Sequence, residues 1–206
     1  MIVIGLTGGT GSGKGCVCRK FLKYNIEAID TDQTSRSVCD KGMPCLNELV
    51  SHFGPSILNP DGTLNRKALA AIAFSDSEKH AILNKTTHKY ILNEVRVWLE
   101  NQRKQNRVAA IVDAPLLFES GFDKECDVIV AVTAPRSLRL KRILARDGIT
   151  TEAAELRLSK QGNDSFYTDR AQYTVINNGS LEDLDQQIDR IYQDIISKKT
   201  PLTSEH

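Results

Sequence analysis

Ile2-Val3-Ile4-Gly5-Leu6-Thr7-Gly8-Gly9-Thr10-Gly11-Ser12-Gly13-Lys14-Gly15 is the stretch that decides the fold. An apolar run of strand type enters a glycine-dense turn, and a helix is predicted from near Lys14 through Val17, Phe21 and Leu22. Glycines at 8, 9, 11 and 13 let successive backbone N–H groups converge with no Cβ in the way. A nest of that kind at a helix N-terminus binds anions, and the helix dipole adds to the attraction. Lys14 brings a mobile positive charge for the outer phosphates of a nucleotide. The frame Gly8-x-x-x-x-Gly13-Lys14, after a strand and before a helix, is the phosphate-binding P-loop motif. It makes Gly9, Thr10, Gly11, Ser12, Gly13, Lys14, Gly15 and Cys16 the candidate residues for holding ATP.

The position after the lysine departs from the motif. Ser or Thr there would offer a hydroxyl to Mg²⁺, whereas Gly15 offers no ligand and slightly weakens the first helical turn. Either the ion takes an extra water in that place or turnover is impaired. The bland alternative is a glycine-rich strand-to-helix turn that binds nothing.

Moving outward, Ile26-Glu27-Ala28-Ile29-Asp30 reads as a short second strand ending in Asp30-Thr31-Asp32. Ligands of open parallel α/β sheets bind at the carboxyl ends of strands. A carboxylate there can take the proton of an attacking hydroxyl or arrange metal-bound water. Each aspartate can equally be a helix N-cap. From Thr34 to about Arg107 the pattern is helical and polar, with turns at Phe53-Gly54-Pro55 and Asn59-Pro60-Asp61-Gly62. Helices are predicted over Asn65 to Phe74 and Ser77 to Gln102, the second with Ile91, Val95, Trp98 and Leu99 on one face. An insertion this long exceeds a simple crossover and suggests a substrate-binding lobe.

Val108 to Asp113 reads as a third strand, buried and parallel in type, and Asp127 to Val132 as a fourth. An apolar strand ending in Asp113 resembles the second nucleotide-binding motif of P-loop enzymes, whose carboxylate orders Mg²⁺. With Gly15 silent, Asp113 and Asp32 are the acidic groups left to position the metal, through water. The next predicted helix carries Arg139, Arg142 and Arg146 on one face, with Leu140, Ile143 and Leu144 elsewhere. Planar guanidinium groups on a closing lid neutralise a migrating phosphoryl group. A solvated basic face is the alternative; against it, no nearby carboxylate is evident to offset the charge. Arg157 and Lys160 are candidates to join the lid. Tyr173 to Asn177 is a fifth strand and Asn178-Gly179 a turn. Ser180 with Asp183 resembles a capping box. The terminal helix buries Leu181, Leu184, Ile188, Ile191 and Ile195, and the chain frays from Lys198.

The 206 residues suit one α/β domain with insertions, or a core with a small appended lobe. A net charge of +1 argues against an extended polyanion partner, hence no nucleic acid, and any anion site is local. No apolar run nears the roughly 20 residues that span a bilayer, and the first residues enter a core strand without room for a signal peptide. The five cysteines have no metal-type spacing and read as buried or idle thiols in a reducing cytoplasm.

These features together describe a kinase of the nucleoside-monophosphate-kinase type, and nearly the whole chain resembles the dephospho-CoA kinase family. The resemblance rests on Gly5-Leu6-Thr7-Gly8-Gly9, Gly11-Ser12-Gly13-Lys14, Asp30-Thr31-Asp32 with Arg36, Phe53-Gly54 and Asp61-Gly62-x-Leu64-x-Arg66. It continues through His88, Asp113-x-Pro115-Leu116-Leu117-Phe118-Glu119, Arg142-x-x-x-Arg146-Asp147, Arg157, Gln161, Val175-Ile176 and Asn178-Gly179. Besides Gly15, Lys89 stands where proline usually follows the histidine, and Gln172 where aspartate usually follows alanine.

The resemblance implies a three-layer α/β P-loop NTPase fold with a five-stranded parallel sheet. Residues 1–33, 106–135 and 166–206 would form the nucleotide-binding core, 34–105 a helical dephospho-CoA-binding insertion and 136–165 a lid. It implies transfer of the γ-phosphate of ATP to the ribose 3′-hydroxyl of 3′-dephospho-CoA, with Mg²⁺, in the last step of CoA synthesis. The catalytic residues would be Asp32, Lys14, Arg142 and Arg146. Asn177 and Gly179 would flank the adenine of ATP, and Asp32, Arg36, Arg66, His88, Leu116 and Phe118 would contact the acceptor. A cytoplasmic monomer is expected. A different small-molecule P-loop kinase, or a nucleotide-binding module impaired by Gly15, are the competing readings.

Overall fold

Strand β1 (Ile2–Thr7) is buried along all six residues, the mark of a central parallel strand covered on both faces. The other strands are β2 (Glu27–Asp30), β3 (Ala109–Asp113), β4 (Val128–Thr133) and β5 (Tyr173–Ile176). In the computed structural model, which describes residues 1–199, they form one five-stranded sheet in the order β2-β3-β1-β4-β5. The helices are α1 (Lys14–Phe21), α2 (Thr31–Ser37), α3 (Pro44–Phe53), α4 (Arg66–Ala73), α5 (Ser77–Lys104), α6 (Arg136–Asp147), α7 (Thr151–Ser159), α8 (Asp164–Thr168) and α9 (Leu181–Lys199). The chain divides into two units, one of Met1–Ala28 with the segment from Gln105 onward, the other of Ile29–Lys104.

In the first unit β1 runs parallel to β3, with Leu6 opposite Asp113, and to β4, with Thr7 opposite Ala131. β5 runs parallel to β4, with Ile176 opposite Thr133. This register brings the ends of β1, β3, β4 and β5 to one edge, where such sheets bind ligands. Alternation along β1 sends Ile2, Ile4 and Leu6 to one face, where they pack with Val17 and Phe21 of α1 and with Leu184, Ile188, Ile191 and Ile195 of α9. Each such buried aliphatic side chain contributes about 1.5–3 kcal/mol. On the other face Gly5 lies so close to Leu117 and Cys126 that a Cβ would sit 2.8 Å from each. The fold is α/β, a five-stranded sheet with helices packed against it.

Two side chains staple the sheet where strands begin. Asp127 accepts from the Val3 N–H at 2.7 Å and donates its own N–H to the Val3 carbonyl at 2.9 Å. Gln172 repeats the device on Ile129, accepting through Oε1 at 2.7 Å and donating its N–H at 3.1 Å. Asp127 therefore precedes β4 rather than opening it. Gln172 keeps an acceptor oxygen in place of the aspartate usual there.

In the second unit α5 buries Ile91, Val95 and Leu99, as its spacing predicts. Lys89 and the Tyr90 hydroxyl both donate to Glu48 of α3, at 2.8 and 2.6 Å, so Lys89 serves as a tie between helices. The Asn59–Asp61–Gly62 turn closes a single antiparallel bridge between Leu58 and Leu64, which the sequence did not signal. Cys39 and Cys45 are buried and their sulfurs lie 3.6 Å apart, a pairing invisible in the sequence spacing.

At the C-terminus Ser180 and Asp183 form the reciprocal capping box, at 3.1 and 3.0 Å. Leu181 is 63% exposed, because it starts the helix before the buried stripe that Leu184 opens. The helix runs to Lys199 instead of fraying at Lys198, and the rest of that predicted tail, 200–206, lies outside the described residues.

Candidate active site

The turn between β1 and α1 has the backbone its glycines permit. Gly8, Gly11 and Gly13 have φ of 148°, 76° and 90°, values that favour glycine. A Cβ at Gly8 would strike the Val132 carbonyl, and one at Gly13 the Asn177 amide. Gly13 caps α1 with no side-chain help, and amides at a helix N-terminus have no carbonyl one turn back, which leaves those of the first turn as donors for an anion. The Cys16 amide instead bends to the Gly13 carbonyl at 2.8 Å. The Ser12 and Thr7 hydroxyls are buried without a partner among the described residues. Unpaired buried hydroxyls are costly, and these two lie within and just before the loop.

Lys14 is ion-paired with Asp113, both side chains being largely buried. The Leu6–Asp113 register dictates this meeting, since it sets the end of β3 beside the start of the glycine turn. Asn177, at the end of β5 and 9% exposed, donates to the Ser12 carbonyl at 2.8 Å.

The arginines of α6 separate into different roles. Arg142 donates to the carbonyls of Gly11, Ser12 and Asn177 and to the Asn177 side chain, at 3.1–3.3 Å. Arg139 is 7% exposed and reaches the Thr10 carbonyl at 2.9 Å, Gln161 at 3.0 Å and Asp164 at 3.0 Å. Arg146 makes a bidentate pair with Asp147 at 2.7 and 3.0 Å, and Arg157 adds to the same carboxylate at 2.5 Å. These cations hold the Asp147 carboxyl below the usual carboxylate range, Arg146 most of all. Arg136 pairs with Glu155. The expectation of an uncompensated basic row is thus corrected: Asp164 offsets Arg139 and Asp147 offsets Arg146, and Arg146 is turned to its neighbour in solvent.

Within the second unit, Asp30 is the N-cap of α2, accepting from the amides of Asp32 and Gln33 at 2.8 and 3.2 Å. Asp32 is exposed in the first turn, one turn before Arg36 on the same face. Arg66, opening α4, donates to the Arg36 carbonyl at 3.4 Å. Burial holds the half-buried His88 below its ordinary pKa. Back in the first unit, Leu116 is 50% exposed. Phe118 meets Phe166 edge-on at 5.8 Å between ring centres, and Arg170 lies over both rings.

The family described as "CoaE: Dephospho-CoA kinase" matches residues 2–183. The chain belongs to the dephospho-CoA kinase family. A dephospho-CoA kinase of Moorella thermoacetica is 43% identical over 183 residues, covering 88% of this chain and 86% of the relative. That of Corynebacterium efficiens is 38% identical over 198 residues, covering 96% and 99%. The solved dephospho-CoA kinase of Campylobacter jejuni superposes with a TM-score of 0.70 at 26% identity, covering 96% of this chain and 98% of its own.

As a dephospho-CoA kinase the chain is an ATP-dependent transferase of P-loop fold. Among its predicted site residues, the structure brings Lys14, Asp113, Arg142 and Asn177 to the glycine turn, and Asp32, Arg36 and Arg66 to one part of the second unit. Gly179 lies two residues beyond Asn177, and a Cβ there would meet the Asp183 carboxylate at 2.6 Å. Arg139 and Gln161 contact the kinase's phosphate loop at Thr10, and Asp164 holds Arg139, contacts that the sequence reading did not specify. Arg139's place in the predicted arginine row and Gln161's place in the family resemblance were the hints. No helix among the described residues is long and apolar enough to cross a membrane.

Proposed function

We propose that the chain transfers the γ-phosphate of ATP to the ribose 3′-hydroxyl of 3′-dephospho-CoA, giving CoA and ADP, and acts as a monomer in the cytoplasm. The observation that carries this reading is a shaped phosphate turn with Lys14 poised on Asp113, in a chain matching the family over residues 2–183. In this reading the helix-terminal amides and Lys14 hold the ATP phosphates. Asp32 accepts the proton of the acceptor hydroxyl, and Arg36, Arg66 and His88 of the insertion contact dephospho-CoA, together with Leu116 and Phe118. Residues 136–165 act as the lid. A loose transition state leaves alignment and charge neutralisation as the main work. For Arg142 or Arg146 to reach a migrating phosphoryl group, the bonds to the loop carbonyls or to Asp147 must first open.

The residues also suit a divalent ion arriving with ATP. Asp113 stands beside the loop lysine, and no group of three or more His, Cys, Asp or Glu that could hold a metal on its own occurs among the described residues. Asp113 and, through water, Asp32 would hold Mg²⁺, which when bound spreads the negative charge of the phosphates. Gly15 is not there for want of room: a Cβ would meet only the Arg19 guanidinium, at 3.8 Å. Gly15→Ser is therefore expected to lower the Mg²⁺ concentration for half-maximal turnover several-fold. It should also stabilise the chain by up to about 0.5 kcal/mol through helix propensity. Mg²⁺ titration and thermal melting read the two effects, and an unchanged Mg²⁺ requirement rejects a water-filled ligand position at residue 15.

The activity itself is tested by ADP release with dephospho-CoA against adenosine monophosphate as the competing acceptor. Turnover should require dephospho-CoA. Equal turnover with adenosine monophosphate, or none with either, overturns the assignment.

A further inference from the structure

We infer that Arg139 and Gln161 are positioning residues that hold the phosphate loop in its binding shape before nucleotide arrives; this rests on the kinase reading above. Both backbone polar groups of Thr10, in the middle of the loop, are taken. Its N–H donates to Gln161 Oε1 at 2.8 Å, and its carbonyl accepts from Arg139 Nε at 2.9 Å. Arg139 Nη2 donates to the same Gln161 oxygen at 3.0 Å, and Nη1 to Asp164 at 3.0 Å. A guanidinium presents its donors in a fixed planar fork, so these bonds lock the middle of the loop to α6 and to the residues just after α7.

The glycines of the loop acquire a second purpose from this. A Cβ at Gly9 would run into the Arg139 guanidinium, and one at Gly11 would lie 2.7 Å from the Arg139 carbonyl. Two of the four loop glycines thus admit Arg139 as well as phosphate. Because the Thr10 N–H is committed to Gln161, it shapes the nest and leaves phosphate binding by backbone donors to the helix-terminal amides. A loop without the strut would have to be ordered by ATP, at the expense of affinity.

The test is calorimetric ATP binding together with steady-state kinetics for the parent, Arg139→Gln, Arg139→Lys, Gln161→Leu and the Arg139→Gln/Gln161→Leu double variant. Arg139→Gln and Gln161→Leu should each raise Kd and KM for ATP about tenfold. kcat should fall by less than KM rises, and KM for dephospho-CoA should move less than twofold. The double variant should be little worse than either single one, since the two residues act on one peptide unit. Arg139→Lys keeps the charge without the fork and should recover little. If Arg139→Gln melts below the assay temperature, Gln161→Leu decides alone. Folded variants with ATP Kd within twofold of the parent overturn the inference and spare the kinase reading. A parent that binds no ATP overturns both.

Discussion

Asp32→Asn is expected to lower kcat with dephospho-CoA by roughly 10²–10⁴-fold, the usual contribution of a positioned general base, while ATP affinity stays within about twofold. The assignment follows the sequence reading, which favoured Asp32 over Asp30 for chemistry, and the two side chains now differ in what they do. Asp30 uses its carboxylate on the amides of Asp32 and Gln33, which is the work of a helix cap. Asp32, in the same turn, projects an exposed carboxylate one turn ahead of Arg36. Asparagine caps helices as well as aspartate, so Asp30→Asn should retain both fold and turnover, whereas Asp32→Asn keeps the fold and loses the base. Single-turnover measurements under saturating ATP read the chemical step directly. Near-parental rates for Asp32→Asn, or an equal loss in Asp30→Asn, would remove Asp32 from the base role.

What the sequence disclosed was local chemistry. The strand, glycine turn and helix around Lys14 were legible because a run of glycines before a lysine has few other uses. The stripe Leu184, Ile188, Ile191 and Ile195 was legible because a helix must bury one face. What it withheld was pairing across long separations. Arg139 looked uncompensated since its partner lies on another element, Asp164 being 25 residues away, whereas Asp147 stands next to Arg146 on α6 and was in plain view. Gln161 reaches Thr10 across 151 residues. Only the strand register that folds α6 onto the loop makes such contacts, and no spacing rule reports it. The same limit hid the Asp127 and Gln172 staples, whose side chains stand in for strand backbone on Val3 and Ile129.

Lys14→Met should lower kcat/KM by at least roughly 10²–10³-fold, the loss seen when one preorganised electrostatic donor is removed from a transition state. ATP affinity should fall with it, because the lysine neutralises the phosphates already in the ground state. Stability is affected separately. Asp113 would lose its cationic partner while its side chain remains only 10% exposed, and a buried carboxylate without its counter-charge is unfavourable. The double variant Lys14→Met/Asp113→Asn removes that carboxylate charge. Melting temperature should therefore recover in the double variant relative to Lys14→Met, and turnover should not. A parallel recovery of turnover would mean that Lys14 matters only as the structural partner of Asp113. A near-normal rate in Lys14→Met alone would deny it any part in holding the phosphates. The predicted divergence of stability from activity follows from one geometric fact: the lysine that rests on Asp113 is placed by the same strand register that puts it at the mouth of the glycine turn.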